Sequence, residues 1–265
     1  MEFLGGTTPT TRADVGPHTI TVRVDDGHGG AVDDTFQLTV QGQVITLDPS
    51  AKQTKAVFTD TSGDTVTVKM AGKVGKVYLI RPVAPDSGGT YSNATPGDMY
   101  SIEAESTDQK TKLTIAVKGP AKGARTSVTD IHVTGSLGTL SGATTDLLGD
   151  AAVSGTLAGL KMGGATAGGT ITIGPRSAGD TKTTTALTFD RVAEMSVNSA
   201  TPVKSLTVTE WLDADGTNDL IQAPSIAKLT VKGDKRRSLA GNFQAGLELS
   251  GVAWLPASRP WAASR

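Results

Sequence analysis

Asp213-Ala-Asp-Gly-Thr-Asn-Asp219 is the segment whose residue types and spacing point most directly to chemistry. Asp213 and Asp215 alternate around a Gly turn, and Asn218 and Asp219 follow at once, so hard oxygen donors crowd one flexible loop. Calcium takes about six to eight such oxygens, which makes the loop a candidate calcium site. It lacks the later bidentate Glu of an EF-hand and does not repeat as RTX nonapeptides do. An ordinary solvated corner is the competing reading. Asp25 and Asp26, with Asp33 and Asp34, form a second acidic set around a Gly-rich turn. Asp60 and Asp64, around Thr61-Ser-Gly63, form a weaker third.

Histidine is scarce, with only His18, His28 and His132. Asp130 and His132 fall at period-two spacing, on one face of an expected strand, where an acid and an imidazole can pair. Ser127 or Ser136 would complete a hydrolytic triad. No Gly-x-Ser-x-Gly elbow accompanies them, so coincidence in a Thr-rich strand is the preferred reading. His28, beside Asp26 in a Gly loop, reads as a turn residue. An enzyme built on this chain would be a calcium-dependent hydrolase of an ester, lactone or glycosidic bond. Asp213, Asp215 and Asp219 are its first suspects, with His132 (beside Asp130) or His28 as base. Lys235-Arg-Arg237 reads as a solvated corner or as a site for a carboxylated sugar. Arg125, Arg176 and Arg191 join it only if the fold stacks them. Gly163-Gly-Ala-Thr-Ala-Gly-Gly169 is followed by no Gly-Lys-Ser/Thr and no expected helix, so it is not read as a phosphate cradle.

The elements that must position these groups are short strands. A β-branched run closed by Gly recurs at Lys112–Gly119, Asp130–Gly135, Gly169–Gly174, Lys204–Thr209 and Lys228–Gly233, and fades at Leu247–Gly251. Nothing helical is expected between them, so the chain is read as all-β, a parallel β-helix or β-solenoid. Composition agrees: 32 Gly, 19% charged and 4% aromatic residues among 265 suit thin layers of small branched side chains. A net charge of −1 provides no field for nucleic acid or an anionic membrane. The absence of Cys removes disulfides and thiolate chemistry, and no apolar run is long enough to span a bilayer. Ile20, Val22 and Val24 alternate on one run, and Phe36, Leu38 and Val40 on the next are expected to face inward. Together they predict an N-terminal antiparallel hairpin within residues 1–42. Residues 43–112 read as an irregular β region, 113–251 as the solenoid, and 252–265 as an atypical tail. With Trp254 and Trp261, that tail is either a native cap or foreign sequence.

The stretch from Gly16 to Gly30 resembles the last two strands of bacterial cadherin-like or immunoglobulin-like repeats. Ser225-Ile-Ala-Lys-Leu-Thr-Val-Lys-Gly-Asp234, followed by Gly241–Gly246, resembles the loosely repeated β-helices of large exported proteins from planctomycete-like bacteria. The first resemblance implies calcium held by acidic residues at a module junction. The second implies a cell-surface or extracellular habitat and supplies no active site. The start shows no basic or apolar segment of signal-peptide length. Either export information was lost or the chain is an internal piece of a larger protein, and the character of both ends favours the second reading. The expected function is therefore a structural or adhesive segment, stabilised by calcium and contacting carbohydrate or another surface protein. Self-association through an open solenoid edge is a further expectation.

Overall fold

The computed structural model describes residues 12–25, 27–120, 122–166, 168–177 and 182–251. The expectations for Asp26 and for the tail 252–265 lie outside the described residues. Strands make up 59% of the chain, there is no α-helix among the described residues, and parallel strands wind into a solenoid of about six turns. Among the described residues no helix is long and apolar enough to cross a membrane.

The hairpin pairs β1 (Gly16–Asp25) with β2 (Ala31–Val40) in the register Ile20↔Phe36 and Val24↔Val32. Its apolar face stays open, which corrects the expectation that Phe36 and Leu38 point into a core: they are 42% and 49% exposed. The reason is topological, since β1 and β2 form a separate two-stranded sheet. Its base is fastened by Val15, which lies over Gly42, and by Arg12.

The next strands build the closed end of the solenoid. They are β3 (Gln43–Leu47), β4 (Lys55–Thr59), β5 (Thr65–Ala71), β6 (Lys76–Arg81), β7 (Met99–Thr107) and β8 (Lys112–Lys118). Alternating burial along β4 and β5 shows why the period-two runs were legible. Antiparallel pairing runs β3–β6–β7 on one side and β4–β5–β8 on the other. Parallel pairing begins where β7 meets β9 (Thr126–Gly135) and β8 meets β10 (Leu137–Leu147).

Beyond that point the coils have three walls. The remaining strands are β11 (Ala151–Val153), β12 (Leu157–Ala165), β13 (Gly169–Ile173), β14 (Thr185–Ala193), β15 (Met195–Ser199), β16 (Val203–Leu212), β17 (Leu220–Ala223), β18 (Leu229–Val231) and β19 (Gly246–Leu249). On the first wall Leu113, Leu140, Leu160, Leu187, Leu206 and Leu229 stack in register, one leucine per coil. On the second, the ends of β10, β12, β14 and β16 align Leu147, Ala165, Val192 and Trp211 inward. The third wall stacks Ile131, Ala151, Ile171, Val197, Ile221 and Leu247. These three columns are apolar, so each coil buries them only by lying on its neighbours. One hydrophobic core runs from Leu47 to Ala223. At the far end Leu229, Leu247 and Leu249 are 38–49% exposed.

Corners are tied by polar side chains one coil apart. Asp130 Oδ1 accepts from Asp150 N at 2.8 Å, and Asp150 Oδ1 accepts from Thr170 N at 2.7 Å, each across 20 residues. Ser136 Oγ does the same for Thr156 N. These repeats satisfy amides that the bend removes from the ladder.

Candidate functional site

The 213–219 loop leaves the second wall after β16 and returns at β17. Its own amides shape it: Gly216 N donates to Asp213 Oδ1 at 2.8 Å, and Thr217 N to Asp215 Oδ1 at 2.6 Å. The residue that the sequence reading missed is Glu194, one coil earlier at the corner between β14 and β15. It takes a left-handed conformation, φ 58°, and Glu194 Oε1 accepts from the amides of Ala214 and Asp215, the latter at 2.9 Å. Glu194, Asp213 and Asp215 each offer an oxygen, and these lie within 4.8 Å of one another.

The electrostatics of the trio are those of crowded carboxylates. The Thr217 amide and the hydrogen bond with Glu194 hold Asp215 below the ordinary carboxylate range. Glu194 rises above its ordinary value even though the Ala214 amide favours its charged form, because desolvation and the Asp215 carboxyl outweigh it. One carboxyl of the pair is thus held low while the other is pushed up.

Asp219 leaves the expected ligand set. It is 5% exposed and turns inward, where its Oδ2 accepts from Trp211 Nε1 at 2.7 Å. Burial pushes its carboxyl up, against the Trp211 hydrogen bond. Asn218 is exposed on the same loop. On the hairpin, Asp25 and Asp33 fall on one face and Asp34 on the other, so the pleat separates them. Asp25 closes its own turn onto Gly27 N, and Asp33 lies 3.9 Å from Arg23. Asp60 likewise closes a turn onto the amides of Ser62 and Asp64.

The catalytic candidates are dispersed. Asp130 and Ile131 are both buried, because the chain turns a corner there and breaks the alternation. Asp130 therefore faces the coil interior while His132, beside Glu103 in register, lines an outer cavity of about 310 Å³ with Arg12, Tyr78 and Glu105. Ser127 Oγ donates to Asp98, and Ser136 is committed to Thr156. His28 sits in the exposed hairpin turn. The arginines fare differently. Coil stacking brings Arg125, Arg191 and Arg237 onto one cavity, while Arg176 donates to Thr183 O at 2.6 Å. Comparisons with protein families, with curated proteins and with solved structures return no match to this chain.

Proposed function

We propose that this chain is a non-catalytic, adhesive scaffold segment of an exported bacterial surface protein, and that calcium bound by Glu194, Asp213 and Asp215 locks one of its coils to the next. The convergence of the three carboxylates carries the reading, because Glu194 belongs to a different coil from the other two. A cation there would offset the repulsion between the crowded carboxylates and join β14–β15 to the 213–219 loop, with backbone and water oxygens completing its shell. The dispersal of Asp130, His132, Ser127 and Ser136 supports a scaffold over a hydrolase, since Ser127 is bonded to Asp98, Ser136 to Thr156 and Asp130 to the Asp150 amide.

Millimolar calcium is expected to raise the melting temperature relative to EDTA. A ligand at about 100 times its Kd stabilises by about 2.7 kcal/mol. Asp215→Asn and Glu194→Gln should each abolish that difference while melting normally in EDTA. Superimposable curves in calcium and EDTA would sink the calcium reading. The affinity should also fall as pH drops through the raised Glu194 value, because proton and cation compete for the same oxygens. Calorimetric titrations at several pH values would show this, and a pH-independent affinity would count against the trio.

A further inference from the structure

On the outside of the second wall the register aligns Asp146, Gly164, Arg191 and Glu210, one residue per coil. Three of the four are charged, and the glycine leaves a gap in the ladder. Gly163 precedes it, so the floor of the gap is bare backbone. The result is a cavity of about 480 Å³, within the usual size range of small-molecule sites.

The walls of the gap are ion pairs. Arg125 forks onto Asp146, with Nε at 3.0 Å from Oδ2 and a second close bond from Nη2 to Oδ1. Opposite, Arg237 forks onto Asp190, Nη1 to Oδ2 at 2.6 Å and Nη2 to Oδ1 at 2.5 Å, while its Nε donates to Asp234. Arg191 pairs with Glu210 at 3.3 Å. The Arg125 guanidinium lies over Gly163, where an added Cβ would sit 2.3 Å from Nη2. At Gly164 a Cβ would fall 2.8 Å from Asp146 Oδ1. Any larger residue would therefore push a wall out of place.

Charge decides the ligand. Each guanidinium already has a carboxylate, so an anion would meet no free positive field and would have to break a bidentate pair. The expectation of a carboxylated sugar at Arg237 therefore gives way. The pairs remain 27–45% exposed and keep unused capacity: carboxylate lone pairs that accept and guanidinium N–H groups that donate. They stand as fixed planar donor–acceptor forks either side of the floor, with Ala193 and Leu212 adding apolar surface. Vicinal hydroxyls on a ring with C–H faces match that lining.

We infer that the glycine-floored cleft between the Arg125–Asp146 and Arg237–Asp190 pairs binds a neutral carbohydrate, through hydroxyls donating to the carboxylates and accepting from the guanidinium groups. The inference rests on the adhesive reading and gives it a ligand class. The cleft is separable from the calcium trio, which begins one residue beyond Ala193 and Leu212. The hydrogen bonds from Arg237 hold the Asp190 carboxyl below its ordinary range. Both carboxylates are tied in bidentate pairs, so the cleft binds a glycan without offering an unpaired carboxyl to cleave it.

The test is NMR titration of the arginine Nε–H resonances in the full chain, with cello-, malto-, xylo- and manno-tetraose and with polygalacturonate, each in calcium and in EDTA. At least one neutral tetraose should shift Arg125 and Arg237 saturably, with both resonances reporting one affinity and no sugar product appearing. Gly164→Ser and Asp190→Asn should weaken that binding at least tenfold, and the wild-type shifts stand as evidence even if a variant misfolds. Shifts from polygalacturonate alone, lost in salt, would overturn the inference, as would no shift with any tetraose. Shifts that persist in EDTA while calcium has no effect on melting would uphold the cleft and reject the calcium site.

Discussion

Trp211→Ala is expected to destabilise the C-terminal coils by about 3–5 kcal/mol, the usual range for emptying a large buried aromatic site. Trp211 is fully buried, and Phe189 and Phe243 meet it edge-on, with centroids at 6.3 and 5.9 Å. It sits below Val192 in the second-wall column and bridges to Phe243, so it links the third-last, second-last and last coils. Truncation also leaves Asp219 buried without its indole donor. Asp219→Asn separates the two losses. The amide oxygen still accepts from Nε1, and the charge that burial disfavours is gone. A carboxyl whose pKa folding raises stabilises most at low pH and loses that contribution as pH climbs through the raised value. At pH 7 the Asn variant should therefore lie within about 1 kcal/mol of the parent, or above it. Because solenoid coils contact only their neighbours, the damage should stay local. Hydrogen exchange should show β17 and β19 losing protection in Trp211→Ala while β3–β7 keep theirs. A uniform loss along the chain, or a cost under about 1 kcal/mol, would contradict this account.

The contrast between Trp211 and the strands around it shows what the residues made legible. β4 and β5 follow period-two alternation because one face meets the core, and the hairpin alternates in sequence although its apolar face stays open. The solenoid could be seen in Lys112–Gly119, Gly169–Gly174 and Lys228–Gly233, where β-branched residues alternate with Thr before a Gly. β10, β12 and β14 were not seen. Each runs round a corner from the first wall to the second, so the inward set changes phase midway, as at Gly163 and Gly164 in β12. The same phase change undid the Asp130–His132 pairing. Glu194 stayed hidden for a different reason. Its partnership with Asp215 spans 21 residues, while the Asp130 and Asp150 corners repeat at 20 and Leu220 reaches Ser196 across 24. Coils of unequal length place no fixed offset on such a pair. Asp213 and Asp215 were legible because a dense acidic loop is a local signal. The inward turn of Asp219 was not, because it depends on where Trp211 lies.

At the closed end the corresponding residue is Arg81, and replacing it is expected to cost about as much as losing Trp211. Arg81 is fully buried at the end of β6, stacked 4.4 Å over the Phe58 ring. It donates to Gln43 Oε1 at 2.6 Å and to the carbonyls of Thr59, Thr95 and Gly97. Neutral acceptors thus satisfy a buried cation that Asp98 supports only through space, and burial lowers its pKa from the ordinary arginine value. The group stays charged at neutral pH, since guanidinium does not deprotonate in proteins. Its fork fastens the long 82–98 loop, through Thr95 and Gly97, to β3 and β4. Arg81→Met would orphan these acceptors, each worth about 1–3 kcal/mol when buried. Partial relaxation puts the total at about 3–5 kcal/mol. Arg81→Lys would keep the charge but lose the planar fork and the stacking, so it should be nearly as damaging. Urea denaturation would give the stability change, and limited proteolysis should find the first new cuts between residues 82 and 98. If Arg81→Lys retained parental stability and a protease-resistant loop, charge alone would suffice, and the fork would not be what holds the cap closed.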